Sequence, residues 1–540
     1  MLKERNLFFI FLVSLFSSYK KIKKNKIEFF FFYFLFLYLK TYQFIKFNLL
    51  KMSVLNDRMQ VFQKYLDKTG MHHHDYQYEG VQWILNNELR TRPLHNVRGG
   101  IIADEMGLGK TIMMIGTFLA NFVNNTLIVV PPVLIDQWYL QIYKTTGHKC
   151  VVYHGKNKKN ITLEKLLEAK IVITTYGAVT LTKRQLDAES NNATLLHEVT
   201  WGRIVFDEAH HLRNKKTSLY KSVRLLKGRI LWLVTGTPIQ NKKKDLYNLL
   251  SIIKLPASLY TDSEKFKEFA PSFILKRTKK QIGLQMSDVM VSDNMVPWKN
   301  KKEMMLSKEI HSELAFSRVS ISPSKYGNIL GKIGIEKGGV LPLMIKAKQS
   351  CILPRLIVHS LLNKGLLKNY ELYKEAFEQS SKLDFIIKMI LERKDNGSGK
   401  LVFCHFKEEI DEIAMRLRNN GLTKVATFDG RTSHKKRLQI LQDKNDVLIL
   451  QIQTGCEGLN LQENYSEIYF VSPHWNPAVE DQAIARCHRI GQKKKVSIQR
   501  FEMSNFLKEG TKVDVDTMTI DNYASSVQSH KRLIASECLQ

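Results

Sequence analysis

Cysteine is scarce in this chain of 540 residues, which contains only six cysteines, all of them scattered. No two have the paired spacing that zinc modules use, and a RING-type module needs about eight metal ligands. The sequence therefore excludes such a module and the ubiquitin-ligase function that it supports. The same scarcity excludes a disulfide framework and favours a reducing intracellular compartment.

Long apolar runs are also lacking. The first 51 residues contain twelve phenylalanines, but their apolar runs of about a dozen residues are shorter than the ~20 that cross a bilayer. No stable membrane association is expected. The Phe- and Lys-rich composition is typical of translated AT-rich non-coding DNA. Residues 1–51 are therefore predicted to be a non-native or disordered extension before a true start at Met52, with a membrane anchor as the alternative.

Acidic residues are few compared with basic ones. The chain has 82 Lys and Arg against 51 Asp and Glu, which gives a formal net charge of +31. The first 51 residues hold ten basic and two acidic residues, so +8 belongs to them and +23 to the remainder. The electrostatic field of such a positive charge attracts polyanions and favours a nucleic-acid partner. The alternative is that lysine richness reflects an AT-rich genome.

A phosphate-binding loop, or P-loop, is the most informative motif. Residues Asp104–Thr111 read DEMGLGKT, between an apolar strand predicted at Gly99–Ala103 and an apolar helix predicted at Ile112–Phe122. Backbone N–H groups and a helix N-terminus would then converge on one point that suits a triphosphate. Lys110 would contact the β- and γ-phosphates, and the Thr111 hydroxyl would bind Mg²⁺.

Two adjacent carboxylates follow a second apolar strand. Residues Arg203–Phe206 precede Asp207, Glu208, Ala209 and His210, so both carboxylates should lie at the strand's carboxyl end beside the P-loop. We assign Asp207 to Mg²⁺ and Glu208 to the attacking water, which it would orient and deprotonate.

Two arginines lie three residues apart much further along the chain. Arg486 and Arg489 belong to the run Gln482–Gln492, QAIARCHRIGQ. A helix predicted over Pro477–His488 would place them near one helix face.

Together these motifs resemble the SNF2 family of superfamily 2 helicase-like ATPases, over roughly residues 70–505. The family's hallmarks include the DEMGLGKT loop, a DEAH box and the HRIGQ element. The chain is also similar to the compact SNF2 members of large DNA viruses. Smaller matching elements lie at 75–80, 131–138, 174–176, 235–241, 276–279, 455–461 and 474–477.

The resemblance implies ATP and Mg²⁺ as cofactors, with Thr111 and Asp207 binding the metal. Lys110, Asp207, Glu208, Arg486 and Arg489 would be catalytic, the arginines acting as fingers from the second lobe. The predicted nucleotide-binding residues are Gln77, Asp104, Glu105, Met106, Gly107, Leu108, Gly109, Lys110, Thr111 and Gln482.

The predicted fold class is α/β, with two RecA-like doubly wound parallel-sheet lobes and helical insertions between them. Lobe 1 is expected at 52–255, a helical insertion or linker at 256–379, lobe 2 at 380–505 and a tail at 506–540.

The resemblance implies a DNA-dependent ATPase that translocates on double-stranded DNA and remodels or displaces bound proteins, influencing transcription. DNA-bound proteins such as nucleosomes or transcription complexes are possible partners, and the nucleus, or a host nucleus for a viral protein, is the expected location. A strand-separating helicase and a non-hydrolysing DNA-binding transcription scaffold are the alternatives.

Overall fold

A computed structural model describes residues 38, 40–42, 53–187, 194–312, 314, 340–362, 374–375, 377–455, 459–506 and 518–539. Most of the predicted 1–51 extension lies outside these residues, as do 456–458 of the 455–461 element. Among the helices described, none is both long and apolar enough to cross a bilayer.

The first sheet forms lobe 1 and contains seven parallel strands in the order β3-β4-β2-β5-β6-β1-β7. Its central strands are short Val- and Ile-rich runs buried on both faces, as parallel sheets require. Separate hydrophobic clusters cover its two faces. The strands are β1 Gly99–Ile102, β2 Thr126–Val130, β3 Val151–Tyr153, β4 Ile171–Thr175, β5 Thr200–Asp207, β6 Lys227–Val234 and β7 Ile274–Leu275.

The second sheet forms lobe 2 and contains six parallel strands in the order β10-β11-β9-β12-β13-β8. Two hydrophobic clusters again cover its faces. The two-lobed α/β fold with parallel sheets is therefore confirmed. The strands are β8 Val289–Val296, β9 Gly399–Cys404, β10 Val425–Phe428, β11 Val447–Gln451, β12 Tyr465–Phe470 and β13 Val496–Met503.

Helices connect the strands and cover both sheets. In lobe 1 and the segment after it they span Asp75–Glu88, Lys110–Ala120, Ile135–Thr146, Leu163–Glu168, Tyr176–Val179, Lys183–Asp187, Leu195–Glu198, Ser218–Leu225, Lys243–Ile252 and Ser263–Phe273. The later helices are Lys301–Ser312, Val340–Ile352, Arg355–Leu362, Ser381–Glu392, Lys407–Asn419, His434–Gln442, Ile452–Gly455, Pro477–Ile484 and Ile520–Leu539.

The segment between the predicted lobes is not wholly helical. Strand β7 pairs with β1 in lobe 1, and β8 pairs with β13 along all eight of its residues. Strand β8 escaped prediction because it is an edge strand with exposed residues on both faces, so its sequence VMVSDNMV lacks alternation. The lobe 2 sheet therefore begins near residue 289, well before 380.

The two lobes meet at the carboxyl ends of their strands. The Asn476 Nδ2 group in lobe 2 donates to Gln240 Oε1 in lobe 1, at 3.1 Å. The C-terminal helix, Ile520–Leu539, packs on lobe 2 and also contacts helix Lys243–Ile252 of lobe 1. This arrangement makes one cleft from residues of both lobes.

Candidate ATP site between the lobes

The P-loop connects β1 to helix Lys110–Ala120 and bends at two glycines. Gly107 and Gly109 have φ values of 91° and 77°, in the left-handed region that favours glycine. A Cβ on Gly109 would lie 2.4 Å from Gln77 Nε2, which itself donates to Leu108 O at 3.3 Å. The loop therefore needs glycine at 109 both for its backbone and for its contact with Gln77.

The Lys110 ammonium group lies under the loop. It donates to Asp104 O at 2.8 Å and to Glu105 O at 3.2 Å. Burial lowers the pKa of Lys110, while Glu208 and Asp104 oppose that shift. A Cβ on Gly236 would lie 3.4 Å from Lys110 Nζ, so the Thr235–Asn241 element also reaches this cation.

The structure gives the Asp104 and Glu105 side chains other partners than a nucleotide. Asp104 is fully buried and forms an ion pair with Arg277, whose Nη2 is 2.6 Å from its Oδ2. Glu105 Oε2 accepts from the Lys279 backbone N–H at 2.8 Å. Met106, Gly107, Gly109, Lys110 and Thr111 line the cleft, but Asp104, Glu105 and Leu108 do not.

Asp207 lies at the end of β5, as predicted. Trp138 Nε1 donates to its Oδ2 at 2.8 Å, and the Glu208 N–H donates to its Oδ1 at 3.0 Å. Burial and the neighbouring Glu208 charge raise the pKa of Asp207 to about 6. These donors fix the orientation of the carboxylate that we assign to the metal.

Glu208 follows in a left-handed backbone conformation, with φ 51° and ψ 46°. This is uncommon for a residue other than glycine and turns the chain sharply after the strand. Burial alone would raise its pKa, but His210, Arg486 and Lys110 outweigh that effect and lower the pKa to about 2. His210 Nδ1 is 3.3 Å from Glu208 Oε2. The carboxylate is therefore ionised at neutral pH.

Arg486 and Arg489 line the same cleft from lobe 2. The prediction that a helix carries them was wrong, since the helix ends at Ile484 and turns follow. The side chain of Arg489 donates to Asn460. The Cβ atom of Arg489 lies 3.7 Å from the position that a Cβ on Gly107 would occupy. Burial and Arg486 lower the pKa of Arg489.

Gln482 is not among the residues that line the cleft. It is buried on helix Pro477–Ile484, and its Nε2 has no hydrogen-bond partner in the part of the chain that the structure describes. Gln77 also lies behind the cleft, where it supports the P-loop through Leu108. The structure therefore places both glutamines beside the lining rather than in it.

The cleft fits a triphosphate with its magnesium ion. It has a volume of about 550 Å³ and is lined by Lys110, Thr111, Asp207 and both arginines. Within the described residues, three buried polar atoms at its wall have no hydrogen-bond partner: Gln137 Oε1, Glu208 Oε2 and Arg486 Nε. The Thr111 hydroxyl and the Asp207 carboxylate are hard oxygen ligands, which Mg²⁺ prefers; phosphate oxygens and water would complete its shell.

Two site residues had no role in the sequence-based prediction. Trp138 orients Asp207, and Arg277 binds Asp104 across 173 positions of the chain. The aromatic residue follows Gln137 in the 131–138 element, and Arg277 belongs to the basic 276–279 element. Both elements were therefore visible in the sequence, but their contacts with the site were not.

The comparison with known families agrees with this geometry. Residues 76–311 match the SNF2-related domain, and residues 381–491 match the helicase conserved C-terminal domain. The two matches together cover more than half of the chain. The protein belongs to the SNF2 family. The resemblance drawn from its motifs is thereby confirmed.

Relatives of this SNF2 protein include cellular and viral members. The yeast ISWI chromatin-remodeling complex ATPase ISW2 is 28% identical over 466 residues, 81% of this chain and 39% of that protein. A probable global transactivator of Orgyia pseudotsugata multicapsid polyhedrosis virus is 27% identical over 451 residues, 79% of this chain and 85% of that protein. The chain spans about two fifths of the length of ISW2 and of several other relatives.

A solved structure also resembles this SNF2 protein at low similarity. It is the Sulfolobus solfataricus SWI2/SNF2 ATPase core in complex with dsDNA, with 24% identity and a TM-score of 0.35. The similarity covers 86% of this chain and 96% of that one.

Proposed function

We propose that this SNF2 protein is a DNA-dependent ATPase that translocates on double-stranded DNA and remodels or displaces bound proteins. The observation that carries the proposal is the split cleft, where Lys110, Asp207 and Glu208 of lobe 1 face Arg486 and Arg489 of lobe 2. A site divided in this way needs both lobes for turnover, so hydrolysis and lobe movement become coupled.

Each residue would have a distinct role in hydrolysis. The P-loop and Lys110 would hold the β- and γ-phosphates, and Glu208 would orient the water and accept its proton. Magnesium, held by Thr111 and Asp207, would neutralise charge on the phosphates when bound. Arg486 and Arg489 would stabilise the charge that develops on the transferred group.

The proposed partner is duplex DNA, supported by the basic charge of the chain. ISW2 is named as a chromatin-remodeling ATPase, and the viral relative as a global transactivator. By analogy we propose DNA-bound proteins as the displaced partners, an influence on transcription, and a nuclear site of action.

The test is steady-state ATP hydrolysis by the full chain with and without duplex DNA. We expect a low rate without DNA and a higher rate with it, declining as salt rises because phosphate contacts are screened. A rate that is the same with and without DNA would contradict DNA dependence. Tight DNA binding without any hydrolysis would favour the scaffold alternative.

A further inference from the structure

The chain segment that leaves lobe 1, Lys276–Lys279, follows β7 and contacts the back of the P-loop. Asp104 at the start of the P-loop is fully buried, and Arg277 is 14% exposed. Arg277 donates to both carboxylate oxygens of Asp104, from Nε to Oδ1 at 3.1 Å and from Nη2 to Oδ2 at 2.6 Å. A buried carboxylate needs such a partner, and the two-pronged geometry also fixes its direction.

Arg277 simultaneously contacts the 75–80 element, whose Gln77 supports the P-loop. Its Nη1 donates to the Tyr76 carbonyl, and its guanidinium lies 5.6 Å from the Tyr76 ring centroid. A Cβ on Gly80 would lie 2.8 Å from Arg277 Nη2. The absence of a side chain at Gly80 therefore leaves room for the guanidinium beside Asp104.

Lys279 extends the same set of contacts to lobe 2. Its backbone N–H donates to Glu105 Oε2 at 2.8 Å, and its Nζ is 3.4 Å from Glu105 Oε1. The same Nζ donates to the carbonyl of His488 at 3.4 Å. His488 lies between Arg486 and Arg489 in the sequence, so this contact reaches the backbone that positions both arginines.

We propose that Arg277 and Lys279 are positioning residues that form a clamp between the P-loop and lobe 2. Arg277 fixes the conformation of the P-loop for the nucleotide. Lys279 holds the P-loop at a fixed position relative to the turn that carries Arg486 and Arg489. The Asp104 and Glu105 side chains thus serve the clamp and not the nucleotide. The inference rests on the proposed ATPase function and deepens it.

The two halves of the clamp have different kinetic signatures. Loss of Arg277 distorts a surface that the nucleotide contacts in its ground state, so Arg277→Gln should raise the KM for ATP by about tenfold or more. Loss of Lys279 leaves that surface in place but misplaces the lobe 2 arginines. Lys279→Ala should therefore lower kcat by about tenfold and change KM by less than about threefold.

The experiment measures kcat, KM and thermal unfolding for the full chain at saturating duplex DNA. The variants are Arg277→Gln, Arg277→Lys, Asp104→Asn, Lys279→Ala and the Asp104→Asn/Arg277→Gln double variant. Lys280→Ala is the control, since Lys280 is the exposed residue that directly follows this segment. Arg277→Lys keeps the charge but not the two-pronged geometry, so its KM should remain raised.

The outcomes separate the clamp from a purely structural role. The double variant should be no worse than the more impaired single variant, because the pair acts as one unit. Lower melting temperatures with wild-type kcat and KM in every variant would overturn the clamp. Failure of the wild-type chain to hydrolyse ATP would overturn the proposed function itself, whereas wild-type turnover with unaffected variants overturns only the clamp.

Discussion

At the scale of single residues, the neighbouring carboxylates Asp207 and Glu208 have opposite pKa shifts. Burial and its neighbour raise the pKa of Asp207, whereas His210 and the cations around Glu208 lower its pKa despite burial. Two carboxylates so close together titrate as a coupled pair. Lys110 lowers the pKa of both carboxylates. The directions differ because His210 and Arg486 also lower the pKa of Glu208, whereas burial and the Glu208 charge dominate at Asp207.

Replacing Glu208 by Gln tests the assignment of the general base. The amide has the same shape and the same backbone conformation, but it cannot take a proton from water. We expect ATP binding to persist and turnover to fall by about 10²- to 10⁴-fold, measured by nucleotide titration and single-turnover hydrolysis. Glu168→Gln, an exposed change in the same lobe, is the control. Wild-type turnover in Glu208→Gln would disprove the assignment.

The lobe 2 arginines call for a separate measurement. Arg486→Ala and Arg489→Ala should each leave nucleotide and DNA binding largely intact and reduce turnover, by up to about 10³-fold or more. Lys493→Ala, at an exposed position in the loop after them, serves as the control. Normal turnover in both arginine variants would contradict the two-lobe site.

At the scale of elements, the P-loop turns at Gly109 in a left-handed backbone conformation that favours glycine. Gly109→Ala combines a left-handed φ with a Cβ 2.4 Å from Gln77, and such strain costs about 1–3 kcal/mol. We expect ATP affinity to fall by about tenfold or more, measured by fluorescent nucleotide titration. Gly421→Ala has a similar φ of 85° but open space around its Cβ, so it should affect stability without affecting affinity.

Much of the fold could be predicted from sequence because its central strands are buried on both faces. Runs such as Thr126–Val130 and Val447–Gln451 are continuous and mainly apolar. The strand predicted at Gly99–Ala103 is found at Gly99–Ile102. Strand β8 lacks such a run because it lies at an edge. The early end of helix Pro477–Ile484 was also missed, since its sequence continues without proline or glycine to Gly491.

Within the site, local motifs were easier to predict than distant partners. Lys110, Thr111, Asp207 and the arginines line the cleft as expected, because short motifs carry their own backbone geometry. The partner of Asp104 could not be predicted, since Arg277 approaches it only after lobe 1 has folded. The sequence identifies an acidic residue, but the partner that the residue needs when it is buried depends on the tertiary structure.

The C-terminal helix Ile520–Leu539 offers a test of buried against exposed ion pairs. The buried Lys382 side chain donates to Asp521, which also accepts from Ser472 Oγ and from the Met503 N–H. Asp521→Ala would leave a buried charge without its partner and should lower the free energy of unfolding by about 3–5 kcal/mol. Arg532→Ala breaks an exposed pair on the same helix and should cost about 0–1 kcal/mol. Urea unfolding monitored by fluorescence measures both, and equal effects would contradict the burial argument.

At the scale of the whole molecule, the question is whether lobe movement separates DNA strands. An enzyme that separates strands must overcome about 1.4 kcal/mol of stacking free energy per base-pair step. It also requires an element that holds the strands apart. We expect ATP-dependent displacement of a third strand from a triplex, without release of a labelled strand from a forked duplex. Efficient fork unwinding would favour the helicase alternative.

The division of the cleft between two lobes also has a thermodynamic consequence. If the lobes spend only a fraction of their time together, the apparent affinity for ATP is reduced by that fraction. A duplex that bridges the lobes would remove this penalty and tighten ATP binding. Linkage is reciprocal, so ATP must then raise the affinity for the duplex by the same factor. Hydrolysis of the ATP would lower that affinity again and release the duplex.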